Sequence, residues 1–386
     1  MDAFWVWQQA DWPKFSWREE SLAPLLRVAT QHQGQLLGKA EVTGASGQSR
    51  TTLDTLLQNL ITSSAIEGEQ LNVGPVRSSL ARRLHIEEKG SANTTRRSEG
   101  LAQLMLDATT NLDEQLTVER LFQWHRWLFP EGENNHWGNI RIGTWRGEEP
   151  MQVVSGRVDK PHVHFEAPPR TRLEQEVETF LQWFNTSREN AGLDPLLRAG
   201  IAHFWFVTLH PFDDGNGRLA RTIADLALAQ ADKQTIRLYS MSAAILERRA
   251  DYYRVLEHSQ KASLDITDWL QWFVHTLDAA LLTALAGIDR VLNKTRFWQQ
   301  HAEQGLHPMQ VKVLNRLLDG GEGNFEHGIS AAQYQAVAKV SKATATRHLT
   351  DLLEKGCLVK LPGGGRSTRY HVPGWATPNT ENGLRE

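Results

Sequence analysis

His210-Pro211-Phe212-Asp213-Asp214-Gly215-Asn216-Gly217-Arg218-Leu219-Ala220-Arg221 is the stretch that decides how this chain reads. It follows an apolar, helical run from Ile201 to Leu209 and opens a second helix whose apolar face includes Ile223 and Leu226. The stretch is therefore a loop between two helices. Gly215 and Gly217 let the backbone turn tightly and approach a ligand with no Cβ in the way. The N–H groups at the start of the second helix lack intrahelical acceptors and favour a phosphate. Arg218 and Arg221 are neighbours on one helix face, and two guanidinium forks there suit the outer phosphates of a nucleotide. Asp214 offers the hard oxygen that a magnesium ion takes alongside phosphates and water. His210, with an ordinary pKa of roughly 6.5, is mostly neutral at pH 7 and accepts a proton. Together these residues suit transfer of a phosphorus-containing group to a hydroxyl. A calcium loop is the competing reading of Asp-Gly-Asn-Gly, but the position that would need a Glu is Arg221.

Outward from the loop, helical spacing dominates. Leu53, Leu56, Leu57, Leu60, Ile61 and Ser64 mark one face of a helix, and Leu173, Val177, Phe180, Leu181 and Phe184 mark another. Thr171 and Glu174 after Pro168-Pro169 predict a capping box at the start of the latter. Further helices are expected at 117–129, 196–209, 217–231, 243–258 and 266–293. The interruption at 143–169 is rich in Gly, Pro and Val. Met151–Val154 and His162–Phe165 read as strands of a β-hairpin around Ser155–Lys160. His162 and His164 share one face of their strand; they could pair on a metal, but no third ligand lies nearby in the sequence. Trp5, Trp7, Trp12 and Trp17 crowd the start of the chain. Such rings either pack on a neighbouring domain or form a surface for a partner.

A length of 386 residues suits two or three domains, and 40% hydrophobic with 23% charged residues excludes wholesale disorder. The net charge of −3 confines any nucleic-acid site to a local patch. The single cysteine, Cys357, excludes an intrachain disulfide and a multi-Cys zinc site, and fits a cytoplasmic protein. The start MDAFWVWQQADW has no signal-peptide pattern, and no apolar run is long enough to span a membrane. Residues 319–328 read as a linker. Beyond them, Ile329–Val340 and Lys342–Lys355 read as two helices, Cys357–Leu361 and Thr368–Val372 as strands around a glycine turn. That is the order of a winged helix-turn-helix. From 326 to 373 there are seven Lys/Arg and three Asp/Glu. Lys342, Thr344, Thr346, Arg347 and His348 fall in the recognition-helix position, and Arg366 and Arg369 on the wing. DNA binding and protein binding are both open to such a module.

The loop matches the motif HPFx(D/E)GNGRxxR at every specified position, and the chain from about 50 to 290 resembles the Fic family. The resemblance implies a mainly α fold: a Fic-type helical bundle with a β-hairpin flap, followed by the small C-terminal winged helix-turn-helix domain. It divides the chain into a Trp-rich segment (1–50), a Fic domain (51–293) with an inhibitory helix (51–68) and flap (143–169), a helical linker region (294–328), the winged helix (329–373) and a polar tail (374–386). It implies a protein adenylyltransferase that moves AMP from ATP to a Ser, Thr or Tyr hydroxyl, or a relative with another donor such as UTP or CDP-choline. His210 would be the base, Asp214 the magnesium ligand, and Gly215, Asn216 and Gly217 the anion cradle. Arg218 would meet the β-phosphate and Arg221 the γ-phosphate, with Phe212 anchoring the loop. Val153, Val154, Ser155 and Gly156 would meet the nucleotide from the flap, which takes a strand of the target protein by β-augmentation. Tyr252, Tyr253 and Gln260 match the adenine-side positions. Relatives often dimerise, which leaves a homodimer open; the sequence does not fix the oligomeric state.

Glu67 continues the apolar stripe of the helix at 53–67, where a carboxylate is costly without a cation. Gly68 reads as the helix stop. Ser63-Ser64-Ala65-Ile66-Glu67-Gly68 matches the family's inhibitory motif, (S/T)xxxE(G/N), on Ser63, Glu67 and Gly68. By that resemblance Glu67 pairs with Arg221 and displaces the γ-phosphate; in some relatives the same glutamate serves removal of AMP. The alternative from another class is a DNA-binding transcriptional regulator whose Fic domain senses nucleotide.

Overall fold

Every residue from Leu196 to Leu209 is buried. A helix buried on every side lies in the interior of its bundle. The computed structural model describes residues 5–373 except 43, 89–91, 131–139, 158–159, 234–237, 262, 320–324, 326–327 and 363–367. In chain order, α1 (Glu19–Val42), α2 (Gly44–Ile66), α3 (Val73–Arg83), α4 (Arg96–Thr110) and α5 (Val118–Leu128) precede a hairpin of β1 (Gln152–Arg157) and β2 (Lys160–Glu166). Then come α6 (Arg170–Thr186), α7 (Pro195–Leu209), α8 (Asn216–Asp232), α9 (Met241–Glu247), α10 (Arg249–Lys261) and α11 (Thr267–Gln300). The fold is mainly helical, as the periodicity predicts. None of the described helices is long and apolar enough to cross a membrane.

The chain divides into two compact units, Met1–Leu285 and Ala286–Glu386, with the boundary inside α11. In the first unit, α7 packs along α8; α4 and α2 also lie on α8, and α2 meets α9. Asp194 caps α7 through Leu196 N–H (2.8 Å), with Pro195 at the first helical position. The strands are longer than Met151–Val154 and His162–Phe165: Ser155, Gly156 and Arg157 pair with His162, Pro161 and Lys160. Backbone pairing extends where the apolar pattern stops, because the ladder does not depend on side-chain polarity.

Two local expectations give way. The capping box at Thr171–Glu174 does not form; α6 begins at Arg170 behind Pro169, which makes no side-chain cap. Pro169, at φ −55° and ψ 145°, already sets the entry to the helix, and Glu174 instead accepts from Arg170 (3.0 Å). The helix expected over 243–258 is two, α9 and α10, broken at Arg248 (φ −118°, ψ 30°). The N-terminal aromatics pack inward, one of the two readings above. Trp5 meets Phe165 edge-on at 5.4 Å, and the Trp7 indole donates to the Glu166 carbonyl (2.7 Å). Trp12 and Phe15 lie edge-on to Trp205 at 6.2 and 5.5 Å.

The second unit holds α12 (Pro308–Leu318), β3 (Ile329–Ser330), α13 (Ala331–Ala338), α14 (Lys342–Glu354), β4 (Val359–Lys360) and β5 (Arg369–His371), with sheet order β3-β5-β4. Its core gathers Phe297, Val313, Leu314, Tyr334, Leu349, Leu352 and Cys357. Lys342, Thr346 and Arg347 are exposed on α14. Thr344 is half-buried in the first turn, where its N–H is capped by Ser341. His348 turns inward, its ring accepting from or donating to the Tyr334 hydroxyl at 3.0 Å. Arg369 donates to the Gly328 carbonyl (3.0 Å). Arg366 and the tail lie outside the described residues.

Asn59 ties α2 to its neighbours. Buried, it donates to Asp225 on α8 (2.6 Å) and accepts from the Ser240 hydroxyl (2.9 Å) and the Ser242 N–H (3.1 Å) at the start of α9. Asn59→Ala removes these bonds at once and leaves buried donors unmet. It is expected to lower the stability of the first unit by about 1–3 kcal/mol, read from urea unfolding by tryptophan fluorescence; an unchanged midpoint would contradict the assigned role.

Candidate active site

The loop between α7 and α8 is held by its own side chains and by two residues from outside it. α7 ends at His210 in the left-handed region (φ 47°, ψ 56°), which turns the chain sharply. Asn216 closes the turn: its Oδ1 accepts from the Phe212 N–H (2.9 Å) and its Nδ2 donates to the Phe212 carbonyl (2.8 Å). Phe212 is fully buried and stacks on the His125 ring at 4.3 Å. His125 accepts the Gly143 N–H at Nδ1 (3.0 Å), so its other nitrogen donates to the Asp214 carbonyl (3.2 Å). Arg146 is buried and donates to the His210 and Pro168 carbonyls, at 2.9 and 2.5 Å, fastening the loop to the base of the hairpin. Asp213 holds the Arg141 N–H (2.9 Å) and so serves that same connection.

This scaffold fixes the imidazole of His210. Its Nδ1 lies 2.9 Å from the Val207 carbonyl and donates to it, which leaves Nε2 as an acceptor. Burial lowers its pKa; the Val207 carbonyl opposes, Arg146 adds to the depression, and Glu67 and Asp214 oppose it. The ring is therefore neutral at pH 7, the state a general base needs.

At the start of α8, Asn216, Gly217 and Arg218 present N–H groups without intrahelical acceptors. Gly215 precedes them at φ 82°, a conformation that favours glycine, and a Cβ there would press on Leu128 and Phe129 at 2.8 Å. A Cβ on Gly217 would lie 2.4 Å from Glu67 Oε1. Glu67 sits where α2 ends. Gly68 (φ 83°) donates to Ala65, and Glu69 donates to Ser64, the crossed bonds of a Schellman stop. From there Glu67 Oε1 meets Arg221 Nη2 at 2.7 Å, while Ser63 holds the same guanidinium through its hydroxyl and carbonyl, both at 2.9 Å. Burial alone would raise the Glu67 pKa, but Arg221, then Arg218 and His210, hold it below the usual carboxylate value. Burial would lower Arg221, but Glu67, with Tyr252 and Tyr253, raises it overall. Arg218 is occupied similarly: Glu69 Oε2 lies at 2.7 Å and Asp214 Oδ2 at 3.3 Å, with the Phe129 ring 4.9 Å beneath it.

A cavity of about 960 Å³ opens over this arrangement. Glu67, Val153, Val154, Ser155, His210, Asp214, Gly215, Asn216, Gly217, Tyr252, Tyr253 and Gln260 all line it. Gly156 lies further along β1, and Arg218 and Arg221 lie behind their carboxylates, outside the lining. The Asn216 side chain is spent on the loop, so only its N–H faces an anion. The Tyr252 hydroxyl is buried against His203 Nε2 (3.0 Å), and Gln260 donates to Thr208 (3.2 Å). Asp214 remains open, its side chain 40% exposed. Sequence reasoning missed Arg146, His125 and Glu69, none of which stands in the motif. The interruption of helical spacing before 151 was the available signal for Arg146.

Residues 115–228 match the model of the Fic/DOC family, and residues 5–86 match that of a domain of unknown function, DUF4172. The chain is 27% identical over 195 residues to the protein adenylyltransferase fic-1 of Caenorhabditis elegans, covering 50% of this chain and 34% of that relative. It is 24% identical over 245 residues to the protein adenylyltransferase Fic of Nematostella vectensis, covering 62% of this chain and 52% of that relative. The match thus spans about a third to a half of these curated relatives. The crystal structure of a Fic family protein from Desulfovibrio desulfuricans G20 superposes with a TM-score of 0.51 at 19% identity, over 92% of this chain and 97% of that one. The chain carries a Fic/DOC domain, and it shares its fold with that crystal structure.

Burial depresses His125 to about 4 and His203 to about 3, while both stand near 6.5 when unfolded. Between these values the unfolded chain binds protons that the folded chain refuses, so stability is lost as pH falls below about 6.5. The melting temperature of the first unit should drop between pH 7 and pH 5. A flat profile there would mean these rings are not buried as neutral groups.

Proposed function

We propose that this chain transfers AMP from ATP to a Ser, Thr or Tyr hydroxyl of a protein, and that Glu67 restrains the reaction. The observation that carries the proposal is that His210, its Nδ1 tied to the Val207 carbonyl, and the N-terminus of α8 line one cavity. Three features support a triphosphate as guest. The opening N–H groups of α8 attract anions. The missing Cβ at Gly217 lets an anionic oxygen come close to the helix start, a place now taken by Glu67 Oε1. Arg221 Nη1 is buried, with no hydrogen-bond partner among the described residues.

The chemistry follows from those positions. His210 Nε2 takes the proton of the attacking hydroxyl as its oxygen bonds to the α-phosphorus, and the bond to pyrophosphate breaks on the opposite side. Asp214, an open carboxylate, fits one position of a magnesium ion, which would neutralise charge on the phosphates when bound. Preorganised N–H donors at α8 stabilise charge developing on the phosphorus oxygens without reorganising. β1 offers backbone to a target segment as an added strand.

Glu67 opposes this in two ways. Its carboxylate engages the guanidinium that a γ-phosphate needs, and its own charge repels that phosphate. Glu67→Gly is expected to raise auto-modification with labelled ATP by roughly tenfold or more, the equivalent of about 1.4 kcal/mol; equal labelling would argue against restraint. His210→Ala should abolish labelling while nucleotide binding, followed by calorimetry, persists. Labelling that survived would take the role of base away from His210.

A further inference from the structure

We propose that His162, His164 and Glu257 form a site for a divalent transition-metal ion of the zinc type, which fastens β2 to α10. The two histidines alternate along β2 and so share a face, their rings 4.6 Å apart at 82°. α10 brings Glu257 to the same place, and one ligand atom from each residue lies within 4.8 Å of the others. A tetrahedral zinc ion with ligands at about 2.0–2.2 Å needs them roughly 3.4 Å apart. The set spans that spacing: His164 Nδ1 and Glu257 Oε2 are 2.7 Å apart and separate slightly to admit an ion.

The donor set selects the ion. Two imidazoles and one carboxylate suit zinc and its neighbours, whereas magnesium and calcium favour oxygen throughout. The surroundings are those of a ligating histidine. With Nδ1 on the ion, His164 Nε2 keeps its hydrogen and donates to the Ser155 hydroxyl, 2.6 Å away. Such a bond fixes the tautomer and the ring plane. β2 is also held just past the site, by the Trp5 ring against Phe165 and the Trp7 indole on Glu166. Lys261, 2.5 Å from the other Glu257 oxygen, supplies the cation until a metal arrives. Three ligands leave a position for water or a target side chain, and His162 is exposed to admit it. The site differs in donor chemistry from Asp214 and does not depend on the transfer reaction proposed above.

The test is competition between the full chain and a chromogenic chelator for Zn²⁺. One site is expected, weakened at least about tenfold in both His162→Ala and Glu257→Gln, with circular dichroism showing both variants folded. Absence of a site, or unchanged affinity in both variants, would overturn the assignment. Amide exchange across 152–166 should slow with Zn²⁺ and not with Mg²⁺. Exchange indifferent to Zn²⁺ would refute the fastening.

Discussion

Arg221 is a guanidinium with 2% of its side chain exposed, and the structure around it is organised by the need to compensate that charge. Leaving a buried charge without its partner costs several kcal/mol, on the order of 3–5. The compensation comes from 154 residues away in sequence, as Glu67 at the end of α2, with Ser63 one turn before it. This makes the end of α2 a structural partner of α8. Under the proposed function it also sets a conflict, because one guanidinium cannot hold Glu67 and a γ-phosphate in the same geometry. Arg218, held by Glu69 and Asp214, repeats the arrangement one turn earlier.

The cavity also depends on a rigid loop. Asn216 clasps the Phe212 backbone from within; His125 and Arg146 grip the Asp214 and His210 carbonyls from outside. These contacts hold the imidazole of His210 relative to the first N–H groups of α8. A misplacement of an ångström would lose much of the benefit of such an arrangement. The polar side chains at positions 125, 146 and 216 thus support the reacting groups without facing the cavity with a side chain of their own chemistry.

Much of this was legible because the chemistry is contiguous. His210 to Arg221 form one turn and one helix start, and a pattern confined to neighbours can be read without tertiary knowledge. The Schellman stop at Gly68 was legible for the same reason. The hairpin was placed correctly but too short, since apolar alternation ends before backbone pairing does. Contacts across the fold left no such trace. Glu257 lies 93 residues from His164, so the pair of histidines lacked a third ligand in sequence that the packing of α10 supplies. Thr171–Glu174 shows the converse: a good local signal was overruled by Pro169, which had already set the entry to α6.

The central claim is that one cavity presents the His210 imidazole and the N-terminus of α8 to a single nucleotide. A crystal structure of the full chain with an ATP analogue blocked between the α- and β-phosphates tests it most directly. The account predicts phosphate oxygens within hydrogen-bond distance of the Asn216 and Gly217 N–H groups, with the α-phosphorus beside His210. An analogue seated elsewhere, or with its phosphates turned away from α8, would contradict it.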